Sequence, residues 1–343
     1  MSRFALLLMA FFLFGCSGGK KTNEILHLAI WENYISPEML ADFKSQTGIE
    51  VRTTHYSSNE ELLAKVQNGN SGIDVAVPSD YMVSIMSALG LLEKLDHSKI
   101  TNIKNLLPEV SNLPFDPGNS FSVPYAWTTS GIAFNRKLLK NPPTSWSDFF
   151  AHPEYKGRLA MLDDMRESTA AALKKLGYSV NTTKEDELAA AANLLAEQKK
   201  RIKLFTSEVI TALTNKEVAL AQAYSSDALQ ARAATKGEIE FIIPKEGATQ
   251  AIDSLVILKG GKNREAAHKF LNFLLEKENN LAFVKVKFGR PVVRGVKELL
   301  PPELQKDPAL FPPPDTEKNL ERIIDLKENN ALYEKIWNNL KLI

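Results

Sequence analysis

Apolar residues in the N-terminal third fall into short runs separated by stripes of helical period. "EILHLAI" at 24–30 reads as a strand, and Pro37 to Gln46 as a helix that turns Leu40 and Phe43 inward and stops at Gly48. "IEVRTTHY" at 49–56 begins with strand alternation, and Ser58-Asn59-Glu60-Glu61 opens a helix carrying Leu62, Leu63 and Val66 up to Asn68-Gly69. "IDVAVP" at 73–78 is a buried strand, and Ser79 starts a helix ending at Gly90. This strand-helix-strand-helix order predicts a mainly parallel sheet with right-handed crossovers. Ligands of such sheets sit beyond the carboxyl ends of the strands. Trp31, Glu32, Tyr34, Ser79 and Tyr81 all fall at such ends.

The middle of the chain repeats the pattern. "RLAMLDD" feeds the helix "MRESTAAALKKLG", and Glu185 to Glu197 is an Ala-rich helix. "EVALAQAY" is a strand followed by the helix "SDALQARAAT", with further strands at "IEFIIP" and "SLVIL". The last helices are "REAAHKFLNFLL", "KENNLAFVKVKF" and "ENNALYEKIWNNLKL". Roughly 320 residues after the leader exceed what one core usually holds, so two α/β lobes are expected, with the chain passing between them more than once.

The first sixteen residues bear on compartment. Arg3 is a positive n-region and Ala5 to Leu13 an unbroken apolar stretch, too short for a stable membrane span. Leu13-Phe14-Gly15-Cys16 resembles the bacterial lipobox, in which the cysteine is lipidated and becomes the mature N-terminus. Cys16 is the sole cysteine, so the mature protein would be extracytoplasmic without disulfides. Residues 1–15 then form a signal peptide and 16–24 a lipidated tether. The chain has 42 basic and 41 acidic residues. Such balance argues against nucleic acid as a partner, and the membrane is reached through the anchor rather than through a basic surface.

No enzyme constellation is present, so a non-enzymatic role is expected. His27, His55, His97, His152 and His268 are scattered without metal spacing, and there is no phosphate loop or Gly-x-Ser-x-Gly elbow. No cofactor or metal is implied. Acidic residues at strand ends are more informative: Asp163, Asp164 and Glu167 follow "RLAML", Asp227 follows "ALAQAYSS", and Asp253 precedes "SLVIL". Each has a structural alternative. Asp164 and Glu167 have the spacing of a capping box, Asp227 suits a helix dipole, and Ser79 is an ordinary N-cap. Their common location with Trp31, Tyr34 and Tyr81 at one rim favours a cation site, because carboxylates pair with ammonium groups and ring faces attract them.

From about Ile25 to the C-terminus the sequence resembles the polyamine-binding proteins of spermidine/putrescine ABC importers. The resemblance rests on "IWENYI", "DVAVPSDYMV", "PYAWTTSGIAFN", "TSWSDFF", "PEYKGRLAMLDDMRE", "LGYSVNTT", "IPKEG", "IDSLVI" and "FLNFLL", in the family's order. It implies a two-lobed periplasmic-binding-protein fold of type II that clamps putrescine or spermidine by hinge closure and hands it to an ABC permease. Lobe 1 would hold residues 25–130 and 254–297, and lobe 2 residues 131–253 and 298–343. The crossovers would fall near Thr128 to Ile132 and near Asp253 and Ser254. Trp31 and Tyr34 match contacts to the methylene chain and amines, Ser79 and Tyr81 a polar contact and an aromatic wall. Asp164 and Glu167 match acidic pocket positions, Asp253 the carboxylate on a terminal amine, and Asp227 an acid of the putrescine-preferring branch. The chain departs from the pattern at four places: Tyr224 for tryptophan, Ala251 for a large aromatic, Arg290 for tyrosine, and Glu32 for a small hydroxyl residue. Arg290 either meets Glu32 as its neutralising partner or points away. A monomer on the extracytoplasmic face is expected. A different small amine, a zwitterion such as an amino acid, and a sensor lipoprotein without transport are the competing readings.

Overall fold

The computed structural model describes residues 24–32 and 34–342; the apolar leader and Cys16 lie outside them. β1 (Ile25–Trp31) alternates as a half-buried strand should, sending Leu26, Leu28 and Ile30 to one face and Ala29 to the other. α1 (Pro37–Thr47) begins at Ser36, whose hydroxyl accepts the Met39 N–H, and ends at Gly48 in the left-handed conformation. Met39 and Phe43 face the core, whereas Leu40, expected inward, is half-buried at its edge. β2 (Glu50–Tyr56), α2 (Asn59–Val66), β3 (Val75–Ala76) and α3 (Asp80–Ala88) follow, with β2 and β3 both parallel to β1.

β4 (Ser122–Asn135) then runs fourteen residues with every side chain buried. A strand covered on both faces carries no alternation for a periodicity reading to find. After it come α4 (Trp146–Ala151), β5 (Leu159–Met161), α5 (Met165–Leu176), α6 (Glu185–Lys199), β6 (Leu204–Phe205) and α7 (Val209–Thr214). β7 (Leu220–Tyr224), α8 (Ser225–Ala234), β8 (Ile239–Ile242), β9 (Gln250–Ile257), α9 (Arg264–Leu274) and α10 (Lys277–Lys287) follow, then short helices at Pro302–Gln305 and Pro314–Glu317 and a last helix at Asn330–Leu342. Among the described residues no helix is long and apolar enough to cross a membrane.

The strands follow the order β2-β1-β3-β9-β4-β7-β5-β6, with β8 also paired to β4. All antiparallel pairs involve β4 or β9; the pairs away from them are parallel. The first part of β4, Ser122 to Thr129, pairs with β9, and the second, Ser130 to Asn135, with β7 and β8. One strand therefore belongs to two lobes. Val123, Tyr125 and Trp127 join the core around Phe43 and Phe270, while Ile132 and Phe134 join a separate core around Trp146 and Tyr155. Gly131 marks the change of partner: a Cβ there would come within 2.3 Å of the Ile242 carbonyl oxygen and 2.6 Å of the Phe241 ring. The chain returns at Thr249 and Gln250, with Gln250 paired to Thr129 and Thr249 bridged to Glu321.

Candidate functional site

Beyond the carboxyl ends of the strands lies a cavity of about 470 Å³ between the lobes, a volume suited to a small molecule. Trp31, Glu32, Tyr34, Ser79, Tyr81, Ala251 and Asp253 line it from one side. Asp164, Glu167, Tyr224 and Asp227 line it from the other. Ten of the eleven residues singled out from the sequence meet here. Arg290 does not line it. Its guanidinium stacks 3.6 Å from the Trp127 ring centroid and pairs with Glu317 at 2.5 Å, so neither the cavity nor Glu32 holds it.

β1 and β9 present the first wall. Tyr34, just past β1, donates its hydroxyl hydrogen bond to Asp253 at 2.6 Å, and the Ser79 hydroxyl donates to the other Asp253 oxygen at 2.6 Å. Ser79 occupies the N-cap position of α3, yet its side chain caps no helix N–H. The hydroxyl is spent on the carboxylate instead. Burial pushes the Asp253 carboxyl above its usual value, while the two hydroxyls and the Lys287 ammonium pull against that. Trp31 is anchored by its indole N–H to the Val77 carbonyl at 2.8 Å and lies against Tyr56, ring centroids 4.6 Å apart. It is thus a fixed wall that also packs on the core.

α5 and α8 present the second wall. Asp164 caps α5 by accepting the Glu167 N–H at 2.9 Å, but the reciprocal half of a capping box is missing. The Glu167 carboxylate instead accepts the Thr249 hydroxyl at 2.8 Å. Burial first, then the nearby Asp164 charge, pushes Glu167 up to about 8. Burial likewise raises Asp164 to about 6, with Glu60 adding to it. Asp80, at the start of α3, is raised by burial to about 7. Among the described residues neither acid makes an ion pair: Arg166, which lines the cavity and tempers both through its charge, donates its guanidinium hydrogen bonds to Asn181, Ile324 and Asn330 instead. Buried carboxylates without a counter-ion are costly when ionised, and a bound cation would relieve the cost.

Sequence reasoning missed Lys287. It ends α10 and is buried; its Nζ donates to Asp227 Oδ1 at 2.9 Å and lies 4.7 Å from the centroid of the Tyr34 ring. A lysine in the last turn of a helix reads from sequence as a solvated dipole partner, and nothing in "FVKVKF" separates Lys287 from the exposed Lys285. Asp80 and Thr128 were also missed as lining residues.

The family profile described as bacterial extracellular solute-binding protein matches residues 38–312. The spermidine/putrescine-binding periplasmic protein of Escherichia coli K12 is 38% identical over 323 residues, covering 93% of this chain and 92% of that protein. The putrescine/cadaverine-binding protein of Pseudomonas aeruginosa is 34% identical over 352 residues, 98% of this chain and 99% of that protein. Among solved structures, the spermidine/putrescine ABC transporter substrate-binding protein PotD of Streptococcus pneumoniae, in complex with calcium and HEPES, superposes with a TM-score of 0.81 at 33% identity. It covers 93% of this chain and 99% of its own. The TpPotD lipoprotein of Treponema pallidum gives 0.84 at 31% identity, covering 93% and 100%.

Proposed function

Since the chain belongs to the bacterial extracellular solute-binding protein family, we propose that it captures a polyamine, putrescine or spermidine, between its two lobes and delivers it to an ABC permease. The observation that carries the reading is Glu167 with Asp164: two carboxylates raised by burial, facing a cavity, with no ion-pair partner among the described residues. An alkylammonium group supplies what they lack. Asp253, dressed by two hydroxyls, offers a second acidic position on the opposite lobe. Tyr34, Tyr81, Trp31 and Tyr224 offer ring faces to the methylenes and amines between. Ala251 leaves one stretch of wall without a ring.

Capture works by population shift. A ligand touching both lobes stabilises only the closed arrangement, so binding energy is converted into closure about β4 and the chain's return at Thr249. A permease can then read the closed form. The chemistry required is binding and release rather than bond-making, in keeping with relatives named as binding proteins. Anchoring through Cys16 rests on the Leu13 to Cys16 motif. The lipoprotein of Treponema pallidum has a similar fold. Replacing Cys16 by serine would release the protein from membranes. A monomer suits a molecule that must close and dock.

Isothermal titration of the mature protein with putrescine and with spermidine tests the reading. Saturable one-to-one binding of at least one supports it. No heat with either at millimolar concentration would sink it.

A further inference from the structure

Within the amine-binding reading, the charges of the cleft are distributed unevenly. At the Asp164 and Glu167 end the lining cation, Arg166, gives its hydrogen bonds to Asn181, Ile324 and Asn330 and forms an ion pair with neither acid. At the Asp227 and Asp253 end the protein has brought its own cation. Lys287 Nζ donates to Asp227 at 2.9 Å, its side chain is 6% exposed, and it lies over the Tyr34 ring, whose hydroxyl binds Asp253. Carboxylate plus ring face is the environment an alkylammonium ligand would choose. The pair also joins the lobes. α10 is packed in the first lobe's core through Phe283 and Val284, and α8 in a second-lobe core through Ala228 and Leu229.

We propose that Lys287 is a tethered occupant of one amine position, so that it sets ligand preference by competing with the second ammonium of a diamine while leaving the Asp164 and Glu167 position open. Three features support this. The ammonium is lodged among cavity-lining residues rather than on the surface, and Lys287 itself lines the cavity. A buried ion pair offers little net stability, so packing alone does not account for it. Neighbouring Phe288 takes a left-handed φ of 56° directly after Lys287, at the point where the helix ends. A non-glycine residue held there marks a terminus fixed by its surroundings.

A diamine entering this cleft must place its second ammonium beside Lys287 or displace it. A ligand with one ammonium meets no such conflict. The test is titration of wild type and Lys287→Met with putrescine and with butylamine, which has the same carbon chain and a single ammonium. Putrescine affinity is expected to rise about tenfold in Lys287→Met, with butylamine affinity changed less than about threefold. Adding Asp227→Asn should cancel most of the putrescine gain, because the vacated acid is what the second ammonium would take. Should Lys287→Met fail to fold, as judged by circular dichroism, Lys287→Gln removes the same charge and keeps a polar end. An unchanged or lowered putrescine affinity in a folded variant would overturn the tethered-occupant proposal and leave the polyamine reading standing. Binding of neither amine by wild type or variant overturns the tethered-occupant proposal, and the polyamine reading falls with it only if spermidine also fails to bind.

Discussion

At the scale of single residues, Glu167 is where the proposed amine site is most open to test. Its carboxyl ionises near 4.5 when solvated and is raised to about 8 in the folded protein, burial being the larger cause and Asp164 the next. Between those values the folded state keeps a proton the unfolded state has released, so this group makes stability fall as pH rises through the window. Glu167→Gln removes that dependence. The empty variant should melt higher than wild type at pH 8, with little difference below pH 5, as thermal unfolding by circular dichroism would register. The same variant should bind putrescine on the order of a hundredfold more weakly, because an ammonium then lacks its buried counter-charge. A variant that bound as well as wild type would remove Glu167 from the site. Ten of the candidate site residues named from the sequence line the cavity, several of them because strand-end aromatics and acids are unusual there. Lys287 was not: a terminal lysine that points inward and one that points outward look alike until a facing helix brings Asp227 to it.

At the scale of elements, local signals and tertiary demands part company in instructive places. α1 obeys its sequence from the Ser36 cap to the Gly48 stop. α3 does not: Ser79 has the cap's backbone geometry, but its hydroxyl goes to Asp253, 174 residues away in sequence. Only the fold reveals that diversion. β4 is the largest element invisible to periodicity, since all fourteen of its residues are buried and polar ones such as Thr128 and Ser130 are among them. The predicted strand over 73–78 shrinks to Val75–Ala76. Gly131 makes β4 testable. A methyl group there would collide with the Ile242 carbonyl and the Phe241 ring, both fixed by the β4–β8 pairing. Gly131→Ala is expected to lower stability by about 1–3 kcal/mol, the usual cost of overpacking, in urea unfolding. Unchanged stability would mean that β8 yields easily and that the crossover is looser than it looks.

At the scale of the whole molecule, two lobes, with four core clusters between them, share one sheet path, and the cavity lies where the lobes face each other. That arrangement was legible from the strand-helix order and from the resemblance; where each crossing strand changes partner was not, because pairing across a sheet leaves no trace in spacing. In the proposed function, one cationic molecule brings the Asp253 wall and the Glu167 wall together. The most direct measurement is a crystal structure of the mature protein grown with putrescine. Extended density is expected along the aromatic wall, with one ammonium within hydrogen-bond distance of the Glu167 or Asp164 carboxylate and the chain directed toward Asp253. A diamine bound outside this cavity, or a carboxylate-bearing molecule held by Lys287 in its place, would contradict it.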